Sequence, residues 1–572
     1  MNDTKQRRKV FTRQFYRGNG LPLVLAVLNC ILMSIGNLGL SWLMQQLIDV
    51  STGADTGFTL GQLALLCASL VAGIAVACGL AYISQPQFLS RAMGQYKNYV
   101  FAELSKKSIS AFSGENSSVY ISALSNDANT IETDYLSNIF TLITQIITMC
   151  GALALMLFYS PLLTLISALL ALLPVAASIF SGSRLADAET VVSKKNTSFM
   201  STLKDSLTGF SVVKSFRAEA AMCRLFAESV KNVEDAKCRK RKISVVIQML
   251  GAMAGVFAQM GVFVIGAWMA LTGRGVSAGV VIVFVQLMNY VINPIGEVPQ
   301  ILAKRKAANA LIDKLASSLS ENVRDEGTAI PKALARGITV RDLSFSYDGE
   351  KQALSRVNAD FEAGKSYAIV GASGCGKSTL LNLLMAGNSS YEGAIDYDGR
   401  ELRTVSSASL YELVSIVQQN VFVFNASIRD NITMFHQFPA EEVERAICLS
   451  GLSDLISQKG EDYLCGENGS NLSGGEKQRI SIARSLLRAS PVLLVDEATA
   501  ALDTQTAFHV SGSILDLEGL TRIVVTHALD ESLLRRYDGI LVLKNGTVAE
   551  RGTFADLMER KGYFYSLFTV SQ

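Results

Sequence analysis

The sequence predicts a two-part membrane protein: an all-α domain of six spanning helices, followed by an α/β domain. Three observations predict it. The 572-residue chain is 49% hydrophobic and only 18% charged, too apolar for an ordinary water-soluble protein. That apolar content is concentrated before residue 303, in runs long enough to cross hydrocarbon. Beyond it hydropathy falls, and short strand-like runs alternate with helical ones.

In chain order, residues 1–20 form a basic segment, 21–303 the membrane domain, 304–335 a linker and 336–572 the α/β domain. In the first segment Lys5, Arg7, Arg8, Lys9, Arg13 and Arg17 alternate with Val10, Phe11, Phe15 and Tyr16. That suits a short amphipathic helix on the inner membrane surface, or a basic flank that fixes orientation. The apolar run after it is too long for a signal-peptide core and lacks a cleavage pattern.

The apolar runs are 21–50, 59–84, 131–158, 161–183, 244–272 and 276–302. Helices are expected, because lipid offers backbone polar groups no other partner. Connections after the first, third and fifth runs are short, with one basic residue, Arg274. Those after the second, fourth and sixth are basic, with Lys106, Lys107, the run Lys237 to Lys242 and Lys304-Arg305-Lys306. Both termini are therefore expected in the cytoplasm of an integral, multi-pass protein of the cell's inner membrane. The two long inner connections look like extensions of the membrane helices. Polar residues inside the runs, such as Gln259, Asn289 and Glu297, read as interhelical glue or a wet surface. Pro294 and Pro299 should loosen the last helix, and Asp49 reads as a solvated helix end. The net charge of +2 says little, and the nine cysteines form no CxxC or Cys/His cluster, so neither zinc nor a disulfide framework is expected. No nucleic-acid partner is expected either.

The α/β domain is organised around Gly371-Ala372-Ser373-Gly374-Cys375-Gly376-Lys377-Ser378-Thr379. An apolar strand leads in and a helical pattern leads out, which makes a phosphate-binding loop, or P-loop. Its glycines let N–H groups curl round an anion, and the helix N-terminus adds partial positive charge. Lys377 would reach the β- and γ-phosphates, Ser378 would hold Mg²⁺, and Thr379 would add phosphate contacts. Four other stretches carry chemistry. Tyr347 could stack on adenine, or be an ordinary strand tyrosine. Asp496 and Glu497 end an apolar strand, where the first can hold Mg²⁺ and the second can position water. Ser473-Gly474-Gly475-Glu476 opens a helix, either as a second phosphate site or simply as a cap. His527 follows another apolar strand and could donate to a γ-phosphate, whereas His436 and His509 have no such setting.

Together these residues resemble the ATP-binding cassette family, and the match covers the whole chain. The order is complete: Tyr347, loop 371–379, Gln419 in Val417-Gln418-Gln419-Asn420, signature 472–476, Asp496-Glu497, Ala501-Leu502-Asp503 and His527. The six-span half looks like that of an exporter-type half-transporter. The resemblance implies ATP and Mg²⁺ as ligands, with Gln419 sensing both γ-phosphate and metal. It makes Glu497, His527, Lys377 and Gln419 catalytic, and Ser378, Gln419 and Asp496 metal-binding. Tyr347, Gly371, Ser373, Gly374, Cys375, Gly376, Lys377, Ser378, Thr379, Ser473, Gly474, Gly475, Glu476 and Asp503 would hold nucleotide. Cys465-Gly466-Glu467-Asn468-Gly469 resembles the family's cross-linking loop, with an atypical Cys465. Cassettes of the family pair head to tail, so the chain would need a second copy of itself or a related half-transporter. Intact Glu497, His527 and signature favour the homodimer. Closure would pass to the membrane through loops near Ser113–Ser122 and Asp205–Phe216.

The function expected is ATP-driven export of a hydrophobic or amphipathic substrate (a drug, lipid or peptide) by alternating access, coupled to ATP binding and hydrolysis at a cassette dimer. Competing readings are an importer on the same fold and an ATP-gated channel or regulatory subunit. Cys375, inside the loop, is expected to make hydrolysis sensitive to thiol reagents.

Overall fold

The computed structural model describes residues 2–54, 57–113, 117–320, 327–347, 351–497 and 502–571. They fall into two compact units: Met1–Leu104 with Ser118–Leu319, and Ser105–Ser117 with Ser320–Gln572.

Every element of the first unit among the described residues is helical. It contains α1 (Asn2–Tyr16), α2 (Gly20–Ser51), α3 (Leu60–Leu104), α4 (Asn138–Tyr159), α5 (Pro161–Thr208), α6 (Phe210–Ser215), α7 (Glu219–Leu271) and α8 (Ala278–Ser320). The segments containing α2, α3, α4, α7 and α8 are each long and apolar enough to cross a membrane. The apolar side chains described on α5 run from Pro161 to Leu173, and its backbone stays helical to Thr208. All six apolar runs are therefore helical, and among the described residues five lie in helices long and apolar enough to span. The two long inner connections continue those helices: α3 runs on to Leu104, and α5 and α7 run past the apolar runs to meet at the short α6. Pro294 and Pro299 do not end α8, which continues through residue 304 to Ser320. The expected linker thus begins as helix, and its residues 321–326 lie outside the described set.

α1 forms as expected, but its aromatic face is used inside the unit rather than offered to lipid. Phe15 is fully buried, stacked on Tyr96 at 5.1 Å and 5.7 Å from Tyr135. Tyr135 lies in a π-helical turn, Glu132–Ser137, with Arg305 over its ring at 4.8 Å. Arg8 clamps Asp313 of α8 with both arms of its guanidinium. Some polar residues of the spans bind each other. Gln259 donates to Asn289, and Gln145 donates to Glu297.

Asp49 is not a solvated end; it is only 3% exposed. Its carboxylate accepts from Gln45, from Ser277 Oγ at 2.8 Å and from the Gly279 N–H at 2.9 Å. It therefore satisfies orphan donors at the start of α8. A Cβ at Gly279 would stand 2.6 Å from both Asp49 Oδ1 and the Gln45 carbonyl, so only glycine fits there.

The second unit is α/β. β1 (Gly337–Ser346), β2 (Gln352–Glu362), β4 (Glu392–Tyr397) and β5 (Arg400–Glu401) make an antiparallel sheet in the order β2-β1-β4-β5. β3 (Ser366–Gly371), β6 (Val414–Val417), β7 (Val492–Asp496), β8 (Thr521–Val525), β9 (Gly539–Lys544) and β10 (Thr547–Gly552) make the second sheet, ordered β10-β9-β3-β8-β7-β6. Its strands are parallel apart from β10. β7 and β8 are buried on both faces, which explains their unbroken apolar runs. A separate cluster, including Val423, Ile428, Ile447, Leu472 and Ile480, forms the core of a helical lobe.

Candidate functional site

β3 delivers the chain to the phosphate loop, and α9 (Lys377–Leu384) carries it away. The loop needs its glycines. Gly374 and Gly376 hold φ of 77° and 102°, and a Cβ on Gly371 would stand 2.3 Å from the Leu543 carbonyl. Lys377 is buried and arches over its own loop, donating to the carbonyls of Gly371 at 3.0 Å and Ala372 at 3.1 Å. Its cation is thus held against the loop at the start of α9, where a helix N-terminus favours phosphate. Ser373 and Gly374 lie at the exposed tip, and Thr379 accepts a hydrogen bond from the Tyr347 hydroxyl at 3.3 Å. The Tyr347 ring is 68% exposed and braced edge-on by Phe345, leaving a face for a base.

Cys375 departs from expectation. The thiol is buried against Gly371, and burial pushes its pKa up despite the opposing pull of Lys377. A shielded thiol that resists ionisation is a poor nucleophile, so the expected sensitivity to thiol reagents loses its physical basis.

Parallel pairing of β7 with β8 sets Asp496 beside Val525, which brings the two strand ends together. Ser378 donates to Asp496 Oδ1 at 2.9 Å. Glu497 is gripped on both oxygens, by Gln419 Nε2 at 2.7 Å and His527 Nε2 at 2.7 Å. Its backbone takes φ +50°, and its N–H donates to the Val525 carbonyl. Catalytic candidates from four stretches of sequence therefore converge on one carboxylate pair. Desolvation raises the Asp496 pKa, neighbouring Glu497 adds to this, and the Ser378 hydrogen bond opposes it. Ser378 and Asp496 offer two hard oxygens side by side, with Gln419 close by, which is a donor set suited to Mg²⁺.

The signature residues open α10 (Gly474–Leu487). Ser473 Oγ accepts from the Glu476 N–H, and the Glu476 carboxylate accepts from the Ser473 N–H at 2.6 Å, completing a capping box. Gly474 and Gly475 carry no side chain at this helix end. Glu476 is committed to the cap and to Lys459, 3.5 Å away, so it shapes the site rather than facing nucleotide. Burial raises its pKa, but Ser473 and Lys459 outweigh that and hold it below the usual range. Among the described residues no hydrogen bond joins 473–476 to loop 371–379. Asp503 caps α11 (Thr504–Leu515) through the Thr506 N–H and stays exposed. Ala501 lies outside the described residues.

Sequence reasoning missed a polar hub beneath this site. Arg484 of α10 donates to the carbonyls of Asn431 at 2.5 Å and Phe422 at 2.7 Å, and to Asn431 Oδ1 at 2.7 Å. Asn431 is fully buried and donates to Phe424 O, Ser427 O and Cys465 Sγ. The hub fixes the segment after Gln419, the stretch containing Cys465 and the signature helix as one body. An arginine in an amphipathic helix gives no hint of this in sequence.

A family profile described as "ABC transporter transmembrane region" matches residues 23–295, and one described as "ABC transporter" matches residues 354–500. The Bacillus subtilis "uncharacterized ABC transporter ATP-binding protein YfiC" is 30% identical over 484 residues, 82% of this chain and 79% of that protein. The "ATP-dependent lipid A-core flippase" of Escherichia coli K12 is 36% identical over 298 residues, 51% of each chain. A solved structure titled as a bacterial Atm1-family ABC exporter with ATP bound shares the fold, with TM-score 0.82 and 24% identity, over 96% of this chain and 98% of that one. A chain that joins this transmembrane region to this nucleotide-gripping cassette belongs to the ABC transporter family, as an ATPase whose hydrolysis is coupled to transport.

Proposed function

We propose that two copies of this chain form an exporter of hydrophobic or amphipathic molecules in the cell's inner membrane, with both termini in the cytoplasm. The observation that carries the reading is Glu497, held between Gln419 and His527 beside the Ser378–Asp496 pair. The exporter title of the solved neighbour and the flippase name of the E. coli relative support outward movement over import.

In this reading Tyr347 stacks on adenine, while Lys377 and the loop N–H groups hold the phosphates. The Ser473 hydroxyl and the helix end at Gly474 and Gly475 are offered to the nucleotide of the second copy. ATP bridging two cassettes binds the closed pair better than the open pair, and so shifts the population towards closure. Glu497 orients the attacking water, and Gln419 and His527 fix its carboxylate for that task. A Mg²⁺ ion held by Ser378 and Asp496, with Gln419 beside it, would offset phosphate charge. Hydrolysis removes the bridge. The segment Ser105–Ser117 belongs to the cassette unit, with the Ile109 N–H 3.4 Å from the Tyr411 hydroxyl, and is one route for the signal. The exposed Phe210, Val212 and Phe216 around α6 offer an apolar tip for a second.

The test is Glu497→Gln in lipid-reconstituted protein. Steady ATP hydrolysis should fall by about 100-fold or more, the usual scale for a lost general base, with ATP binding kept. Wild-type turnover in this variant would remove Glu497 from its role.

A further inference from the structure

We propose that Lys459 is the counter-ion that makes an acidic signature compatible with ATP: it offsets the charge of Glu476, so that the start of α10 attracts the phosphates of the second copy's nucleotide instead of repelling them. The inference deepens the pairing reading given above and rests on it. α10 opens as an anion site should, since the N–H groups of a first helical turn lack intrahelical acceptors and carry partial positive charge. Yet Glu476 stands in that same turn. Its Oε2 accepts from the Ser473 N–H at 2.6 Å, and its Oε1 lies 3.5 Å from Lys459 Nζ. Burial pushes its pKa up, but Ser473 and Lys459 together hold it below the usual range, so the carboxylate is ionised when ATP is present.

A phosphate received at Gly474 and Gly475 would stand within about one helical turn of that carboxylate, roughly 5 Å. Two like charges so close weaken binding by on the order of a hundredfold at a protein surface, before screening. A cation on the far oxygen of Glu476 offsets most of this and leaves the cap intact. Lys459 is held in place for that task. It ends the short helix Ser453–Lys459, and Gly460 turns the chain after it at φ 80°. Its ammonium lies 4.9 Å over the Tyr463 ring and donates to the Asn471 carbonyl at 3.5 Å, two residues before Ser473. The cation nearest Glu476 in sequence is committed elsewhere, since Lys477 donates to the Asn468 carbonyl at 2.8 Å. Among the described residues Lys459 is the one ion-pair partner of Glu476, and with the two side chains 28% and 16% exposed the pair is only partly screened by water.

The experiment is a double-mutant cycle on the full-length protein in lipid, read by ATP hydrolysis. Lys459→Met keeps the stem against Tyr463 and removes the charge. It should raise KM for ATP about tenfold, the Coulomb effect discounted for partial exposure, with kcat within about twofold. Binding of a fluorescent ADP should match wild type, because loop 371–379 is untouched. Adding Glu476→Gln, whose amide oxygen can still accept from the Ser473 N–H, should bring KM back to within about threefold of wild type, since no charge then needs a partner. Lys459→Gln, which keeps a donor for the Asn471 carbonyl, repeats the cycle with less disturbance and should behave alike. A wild-type KM in both Lys459 variants overturns the proposal. So does a loss that Glu476→Gln fails to recover, which would make Lys459 a prop for the loop rather than a balance of charge. Pairing is tested separately: if mixed Lys377→Ala and Ser473→Ala chains regain hydrolysis while the cycle shows no coupling, the counter-ion role falls and the pairing reading stands.

Discussion

Glu497 pairs a strained backbone with a fully occupied side chain. A non-glycine residue at φ +50° is sparsely populated, a cost of about 1–3 kcal/mol that surrounding contacts must offset. Gln419 and His527 supply those contacts and leave the carboxylate one orientation. Asp496 next to it is tuned in another way. Burial keeps its proton to higher pH than an ordinary aspartate, whereas a divalent metal needs the ionised form. Metal affinity should therefore fall, as pH drops, starting above the usual aspartate range. Mn²⁺ binding followed by EPR across pH checks this, and Asp496→Asn should remove the step together with most of the affinity. At this scale the grouping of Ser378, Gln419, Asp496, Glu497 and His527 was legible, because phosphate chemistry admits few residue types at fixed spacings. Cys375 and Glu476 were less so: spacing placed both at the nucleotide, but packing turns the thiol inward and commits the carboxylate to the Ser473 cap.

Among the elements, α10 shows how local rules and burial share the work. Its capping box was readable in Ser473 and Glu476, three residues apart. Arg484 was not readable, since its role depends on carbonyls of Phe422 and Asn431 far away in the chain. Its guanidinium is buried, which lowers its pKa, and oxygen acceptors rather than a carboxylate solvate it. Arg484→Lys keeps the charge but cannot fill three acceptors in that fork geometry. Leaving the buried Asn431 acceptors unsatisfied costs about 1–3 kcal/mol, so thermal unfolding of the cassette should move down by several degrees. An unchanged melting temperature would show that the hub is dispensable. Asp49 teaches the same lesson in the membrane unit. An acid near the end of an apolar run reads as solvated, yet pairing with the start of α8 buries it. The aromatic face of α1 was visible in sequence, and its partners Tyr96 and Tyr135 were not.

For the whole molecule, the split between loop 371–379 and the signature has a clear consequence. If each nucleotide is shared between copies, Lys377→Ala and Ser473→Ala chains should each be nearly inactive alone. Mixed before reconstitution, they regenerate one intact site per mixed dimer, so hydrolysis should rise above both parents. No gain on mixing would mean that each chain works by itself. Both architectures were legible in hydropathy and strand pattern, since a bilayer and a parallel sheet each impose strong periodic demands. The membership of Ser105–Ser117 in the cassette unit was not, because contiguity in sequence suggests the opposite.

That short segment changes how the protein can be taken apart. Chimeras are usually joined at one seam, here somewhere after Ser320. A transplanted cassette would then arrive without the early strand of chain that belongs to its body. Swapping engines between transporters of this design calls for two grafts, one at each end of the gene, carried together.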